Sequence, residues 1–121
     1  MHSGVGMSRD HRKLRVFVLA DDLVPRIYSM TQQFPSSERC GLQMQLRRAA
    51  VSAACNIVEG CARQSTREYL NFLNIPAGSA SEARYLIDLS CRLGFSAAVD
   101  TEPVAARYTN LAAGLEALIR P

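Results

Sequence analysis

The side chains in this 121-residue chain that are equipped for chemistry are mostly arginines. Thirteen of the fourteen basic residues are Arg, whose guanidinium fork suits bidentate contact with carboxylate or phosphate. One run gathers polar groups at helical spacing. Gln45, Arg48, Ser52, Asn56, Glu59 and Arg63 recur every three or four residues and so share one sector of a helix. Such a stripe is a solvated face, an Arg48–Glu59–Arg63 network tying helices together, or the wall of a groove for a polar or anionic partner. Glu59 as a catalytic base has little support, because no nucleophile, metal cluster or second carboxylate lies nearby in sequence. Imidazole is confined to His2 and His11. Cys40, Cys55, Cys61 and Cys91 show neither CxxC spacing nor a neighbouring His, so they read as buried or half-buried thiols. No catalytic residue, metal or cofactor is expected.

The net charge is +3, and its distribution is more telling than its size. Arg9, Arg12, Lys13 and Arg15 stand against Asp10 alone near the start, and Arg39, Arg47, Arg48 and Arg63 outnumber Glu38 and Glu59 in the middle. Residues 16–35 and the stretch after 65 are slightly acidic. Basic clusters of this kind are candidate contacts for nucleic-acid phosphates. The composition, 48% hydrophobic and 21% charged, is that of a globular domain and too apolar for disorder. No apolar run reaches the roughly 20 residues of a membrane span, and no secretory h-region follows the first charges, so a cytoplasmic protein without membrane contact is expected.

The elements that must position these residues are helices. Val16, Ala20, Leu23, Ile27, Met30 and Phe34 follow a 4-3-4-3-4 seam, widened by Phe17, Val24, Tyr28 and Thr31, with Pro25 expected to bend it. A second helix is expected over about Ser37 to Cys61, with Leu42, Leu46, Ala49, Ala50, Ala53 and Ile57 inward and Gly60 as terminator. Ser65 through Glu68 has the form of a capping box. The third helix then runs to about Leu93, with Gly94 as its stop and a kink at Pro76 and Gly78. A fourth begins at Asp100 or Thr101 with Pro103 in its first turn, and repeats Val104, Tyr108, Leu111, Leu115 and Leu118. Short connections make the expected fold an all-α, up-down-up-down antiparallel four-helix bundle over residues 12–121, preceded by a flexible basic leader over 1–11. Val51 and Val58 leave a second side of the second helix apolar, beyond what one bundle buries, and mark a candidate self-association surface.

Three stretches carry a resemblance. They are Gln45 through Ser52, Asn56 through Gly60, and Glu68-Tyr69 through Phe72-Leu73 to Gly78-Ser79 and Glu82. With Ile27-Tyr28 and Thr31 through Pro35, they resemble the bacterial four-helix-bundle proteins encoded in 23S rRNA intervening sequences. A more distant similarity is to the accessory variability protein of diversity-generating retroelements. The resemblance implies a homopentamer with an RNA-associated, non-enzymatic role. Its signature positions here are Gln45, Arg47, Arg48, Ser52, Asn56, Glu59, Gly60, Ser79 and Glu82, with no catalytic assignment to carry over. Ala54, Pro76 and Pro25 depart from the family pattern and shift its helix-bending positions.

Three functions are therefore distinguished. The leading one is a homo-oligomeric adaptor for RNA, or for an RNA-processing protein, with Arg12, Lys13, Arg15, Arg39, Arg47 and Arg63 as candidate contacts. No aromatic interleaves them as single-strand stacking requires, so recognition of backbone and shape is expected. The second is a protein scaffold without nucleic acid. The third is an enzyme using Glu59 and Arg48 in a polar groove. The stripe residues Ser52 and Asn56 are expected to hydrogen-bond a neighbouring helix near Ser79 and Glu82.

Overall fold

The computed structural model describes residues 9–121; the expected leader therefore falls largely outside the described residues. Its last part is held to the bundle. The Arg9 N–H donates to the Cys61 carbonyl at 3.0 Å, and Asp10 caps a short 3-10 turn over His11–Lys13 by accepting from the Arg12 N–H.

Five α-helices follow: α1 Arg15–Thr31, α2 Leu42–Cys61, α3 Thr66–Phe72, α4 Asn74–Arg92 and α5 Ala98–Ile119. Helices α3 and α4 form one broken column, so the chain makes an all-α four-helix bundle. Around its section α1 packs on α2 and α5, and α4 packs on α2 and α5. Sequence neighbours are thus spatial neighbours, and diagonal helices do not pack on each other, as the short connections require.

The periodic seams become the core. Val16, Ala20, Leu23 and Ile27 of α1 are buried against Leu46, Ala49, Ala50, Ala53 and Ile57 of α2 and Tyr108, Leu111 and Leu115 of α5. Ala at the α2 positions keeps side chains short, which lets neighbouring helices approach closely. Leu93, the expected last residue of the third helix, is exposed just past its end at Arg92.

Several boundaries differ from the expected ones, each for a local reason. Helix α2 starts at Leu42 instead of about Ser37, after a 3-10 turn over Ser36–Glu38. Glu38 accepts from the Leu42 N–H through Oε1 at 3.0 Å, an acidic group at the positive end of α2. Gly60 does not stop α2; it lies buried inside the last turn, beside Phe72 and Leu73. The column breaks at Leu73, ahead of the expected kink, and so places Pro76 in the first turn of α4. A proline there sacrifices no helical hydrogen bond, because first-turn N–H groups have no partner within the helix. Pro25 lies on the exposed side of α1, which continues through it as one helix. Helix α5 begins at Ala98, with the Ala97 carbonyl accepting from Asp100 and Thr101, so Pro103 falls in its second turn.

Two punctuation marks are as expected. Ser65 caps α3 by accepting from the Glu68 N–H at 3.0 Å. Gly94 (φ +80°) ends α4 in a Schellman motif, in which Phe95 N–H donates to Ser90 O at 2.9 Å and Gly94 N–H to Cys91 O at 3.0 Å. The turn delivers Phe95 against Phe34, with ring centroids 5.8 Å apart.

Candidate functional site

Helix α2 carries most of the polar residues in question, and the fold divides them into three groups. Arg47 faces the end of α1. Its Nε donates to Thr31 Oγ1 at 2.8 Å and its Nη2 to Tyr28 O at 3.1 Å, while the guanidinium lies 4.4 Å from the Tyr28 ring centroid. Gln43, one turn earlier on α2, donates to Thr31 O at 2.8 Å. Both carbonyls already accept a backbone N–H, Tyr28 O from Gln32 and Thr31 O from Phe34, and each gains a second donor here, with Arg47 adding a positive charge at the negative helix end. Arg47, a candidate phosphate contact from sequence, is thus engaged inside the molecule. Tyr28, expected to widen the α1 seam, is instead 41% exposed under that guanidinium.

The middle of the stripe turns toward α4. Ser52 Oγ lies 2.9 Å from Ser79 Oγ, joining the two helices through their hydroxyls. Asn56 Nδ2 donates to Ser52 O at 2.9 Å and Ser52 Oγ at 3.0 Å, so it braces Ser52 from the same helix rather than reaching the neighbour. Glu82 is exposed and has no hydrogen bond to this group.

Further along, Glu59 pairs with Arg63 at 2.9 Å, and the Arg63 guanidinium lies over Phe72 at 5.1 Å. Arg48 does not join them. Eleven residues of helix separate it from Glu59, about 16 Å of axial rise, which is beyond the reach of the two side chains. The three-member network expected from sequence is therefore only the Glu59–Arg63 pair.

What remains outward is a groove along the first half of α2. One depression of about 660 Å³ is lined by Tyr28, Arg39, Met44, Arg47, Arg48 and Val51, among others. A second of about 580 Å³ adjoins it through Met44, Arg48 and Ser52 and reaches Gln45 and Glu82. Among the described residues Arg39 and Arg48 have no ion-pair partner, and Met44 is 41% exposed between them. Neither Met44 nor Tyr28 stands out as a groove residue in the sequence. Their apolar types fit a core seam equally well, and only burial distinguishes the two.

The opposite end of the bundle holds the second basic cluster. Arg12 is paired with Asp10 at 2.9 Å, and this contact holds the Asp10 carboxyl below its usual range. Arg9 donates to Thr66 Oγ1 at 2.9 Å and stacks 4.1 Å from the Tyr69 centroid. Lys13, Arg15 and Arg67 have no ion-pair partner among the described residues. Helix α1 starts here with no side-chain cap and no acidic residue in its first turn. Its positive end therefore adds to Lys13 and Arg15.

Val51 is half-buried at the groove, and Val58, two turns on, is half-buried outside it. All four cysteines are free; Cys91 is half-buried and Cys61 buried as expected, with burial pushing the Cys61 thiol up, whereas Cys40 and Cys55 are exposed because they lie before α2 and on its outer side. The described residues hold no group of three or more His, Cys, Asp or Glu placed to share a metal ion, and no described helix is long and apolar enough to cross a membrane.

The crystal structure at 1.70 Å of a protein of unknown function from the S23 ribosomal protein family of Bacteroides thetaiotaomicron VPI-5482 has the same fold, with a TM-score of 0.78 at 23% identity. The alignment covers 88% of this chain and 99% of that one. No curated protein matches the sequence. The family model described as 23S rRNA-intervening sequence protein matches residues 12–117. With nearly the whole bundle inside that match, the chain belongs to the 23S rRNA-intervening sequence protein family.

Proposed function

We propose that this protein is a non-enzymatic, homo-oligomeric accessory factor that holds structured RNA by its phosphate backbone, with a pentamer as the favoured assembly. One observation carries the reading. Lys13, Arg15 and Arg67 have no ion-pair partner among the described residues, at the end of the bundle where α1 presents its uncapped, positive terminus. Lys13 and Arg15 stand next to the positive helix end, Arg67 adds charge at the same end of the bundle, and a polyanion is attracted to all three. Arg12 and Arg63, at the same end, are already paired and contribute less. Assembly multiplies a weak patch, so that several modest contacts act on one RNA.

Fluorescence anisotropy with a structured RNA hairpin between 50 and 200 mM salt provides the test. Phosphate contacts release counterions, so affinity is expected to fall steeply with salt. The triple substitution Lys13→Ala, Arg15→Ala, Arg67→Ala is expected to weaken binding and flatten that dependence. Binding that ignores salt, or that survives the triple variant unchanged, overturns the reading.

A protein scaffold without nucleic acid is the second reading, favoured by the internal use of Arg12, Arg47 and Arg63. Protein partners that survive nuclease treatment, together with no RNA shift at low salt, establish it. The enzymatic reading draws no geometric support, because Arg48 and Glu59 lie apart and Glu59 is paired to Arg63 at the surface.

A further inference from the structure

We infer that the groove along the first half of α2 is a docking site for an acidic, amphipathic helical segment of a partner protein. Its first depression is basic, and Glu82 enters only the adjoining second one. Arg39, Arg47 and Arg48 line the first depression, and no carboxylate does. Arg47 is fixed in place by Thr31 and Tyr28, whereas Arg39 and Arg48 are exposed and free of ion pairs among the described residues. Guanidinium groups so arranged match carboxylates bidentately.

The floor between the charges is apolar, with Met44 and Tyr28 each 41% exposed and Val51 beside them. A thioether adapts its shape to a docking helix, and an apolar stripe on that helix covers it. The size agrees. On α2 the lining residues run from Gln43 to Asn56, thirteen positions or about 20 Å, the length of a helical segment of nearly four turns.

Nucleic acid fits this groove less well than the basic end described above. Tyr28 is the aromatic residue of the first depression, and one face of its ring is already covered by Arg47. A base stacked there competes with a guanidinium held by two hydrogen bonds. Acidic residue types with apolar ones between them complement the groove without needing that face.

The probe is a labelled sixteen-residue peptide with leucines at helical spacing and glutamates between, alongside its counterpart with lysines for glutamates. The acidic peptide is expected to bind saturably at low salt and the lysine peptide not to bind. Arg48→Glu is expected to weaken the acidic peptide tenfold or more, while Arg67→Glu, at the other end of the bundle, leaves it unchanged. Both positions are exposed, and circular dichroism verifies that each variant keeps its helices. Equal binding of the two peptides, or indifference to Arg48→Glu, overturns the proposal. So does displacement of the peptide by the RNA hairpin when Arg48→Glu also abolishes hairpin binding, which makes the groove an RNA surface. Met44→Asp is expected to lose the peptide and keep the oligomeric mass of the parent. A drop to monomer assigns the groove to a second copy and ends the proposal.

Discussion

Arg47 on α2 donates from Nε to Thr31 Oγ1 at 2.8 Å, while that same hydroxyl donates to Ile27 O at 2.7 Å. Thr31 is fully buried at the last residue of α1, so Arg47 reaches into the core boundary to close another helix. Removing it leaves the Thr31 hydroxyl and the Tyr28 carbonyl without their charged donor. Arg47→Ala is expected to cost about 1.5–3 kcal/mol in urea unfolding, the range for a hydrogen bond to a charged group. Arg47→Lys is expected to recover less than half, since a point charge cannot serve the hydroxyl, the carbonyl and the Tyr28 face together. An unchanged midpoint for Arg47→Ala returns this residue to the set of surface contacts.

The Ser52–Ser79 bond predicts a coupled pair. Ser52→Ala deprives both Ser79 Oγ and Asn56 Nδ2 of a partner, at an expected cost of about 1–2 kcal/mol. The double variant Ser52→Ala, Ser79→Ala is expected to cost less than the two singles added together, because the second change removes the group the first one stranded. Strict additivity in a double-mutant cycle means the hydroxyls do not interact. Asn56→Ala is the mildest of the set, near 1 kcal/mol, as Asn56 bonds only within its own helix.

Tyr108 places a hydroxyl in the core with no hydrogen-bond partner among the described residues, and it is fully buried. Tyr108→Phe is therefore expected to be neutral or stabilising by about 1 kcal/mol, through relief of the desolvated hydroxyl. Burial pushes the Tyr108 phenol well above its ordinary value of 10.0, and Tyr69 moves the same way, mainly through burial. The unfolded chain releases these protons near pH 10 while the folded chain keeps them. The contribution of these two tyrosines is thus flat below pH 10 and falls above it, by up to about 1.4 kcal/mol per pH unit for each. Tyr108→Phe is expected to make that decline shallower. A loss of stability at pH 7 in the Phe variant reveals a bonded hydroxyl instead.

The core was legible in the sequence because burial repeats with the helix. Leu42, Leu46, Ala49, Ala50, Ala53 and Ile57 were assigned inward from spacing alone, and all are buried. Helix ends were less legible, because a side chain from outside the helix sets them. Glu38 decides where α2 starts, and the tolerance of a first turn for Pro76 moves the break to Leu73. The site was the least legible part. Arg47 and Arg48 are identical in type and adjacent in sequence, but a helix sends neighbours about 100° apart. One turns to Thr31, sixteen residues back, and the other to open solvent. Only the packing of α1 on α2 separates their roles.

Gly94 is the single described residue with a positive φ, at +80°, and nothing lies within 4 Å of where its Cβ would stand. The cost of Gly94→Ala is then purely conformational, about 1–2 kcal/mol for a left-handed backbone. Thermal unfolding is expected to report that loss with helicity intact. A variant as stable as the parent shows that the turn into α5 relaxes to another conformation.

Assembly gives the last prediction. The bundle leaves Val18 on α1 and Tyr85 on α4 each 56% exposed, and Val58 half-buried on α2. A closed ring needs a heterologous contact, in which two different surfaces of each copy meet. We assign the last turns of α2 around Val58, beyond the groove, to one surface and the Tyr85 side of α4 to the other. Sedimentation at micromolar concentration is expected to give five times the 13.3 kDa of one chain. A monomer defeats self-association, and a dimer defeats only the ring. Val58→Asp and Tyr85→Asp are each expected to yield helical monomers, and mixing them tells more than either alone. Each variant keeps the surface the other has lost, so one intact contact forms and the open, damaged ends stop growth at a heterodimer. If instead both residues belong to one self-complementary patch, every pairing of the two variants meets a buried aspartate, and the mixture stays monomeric.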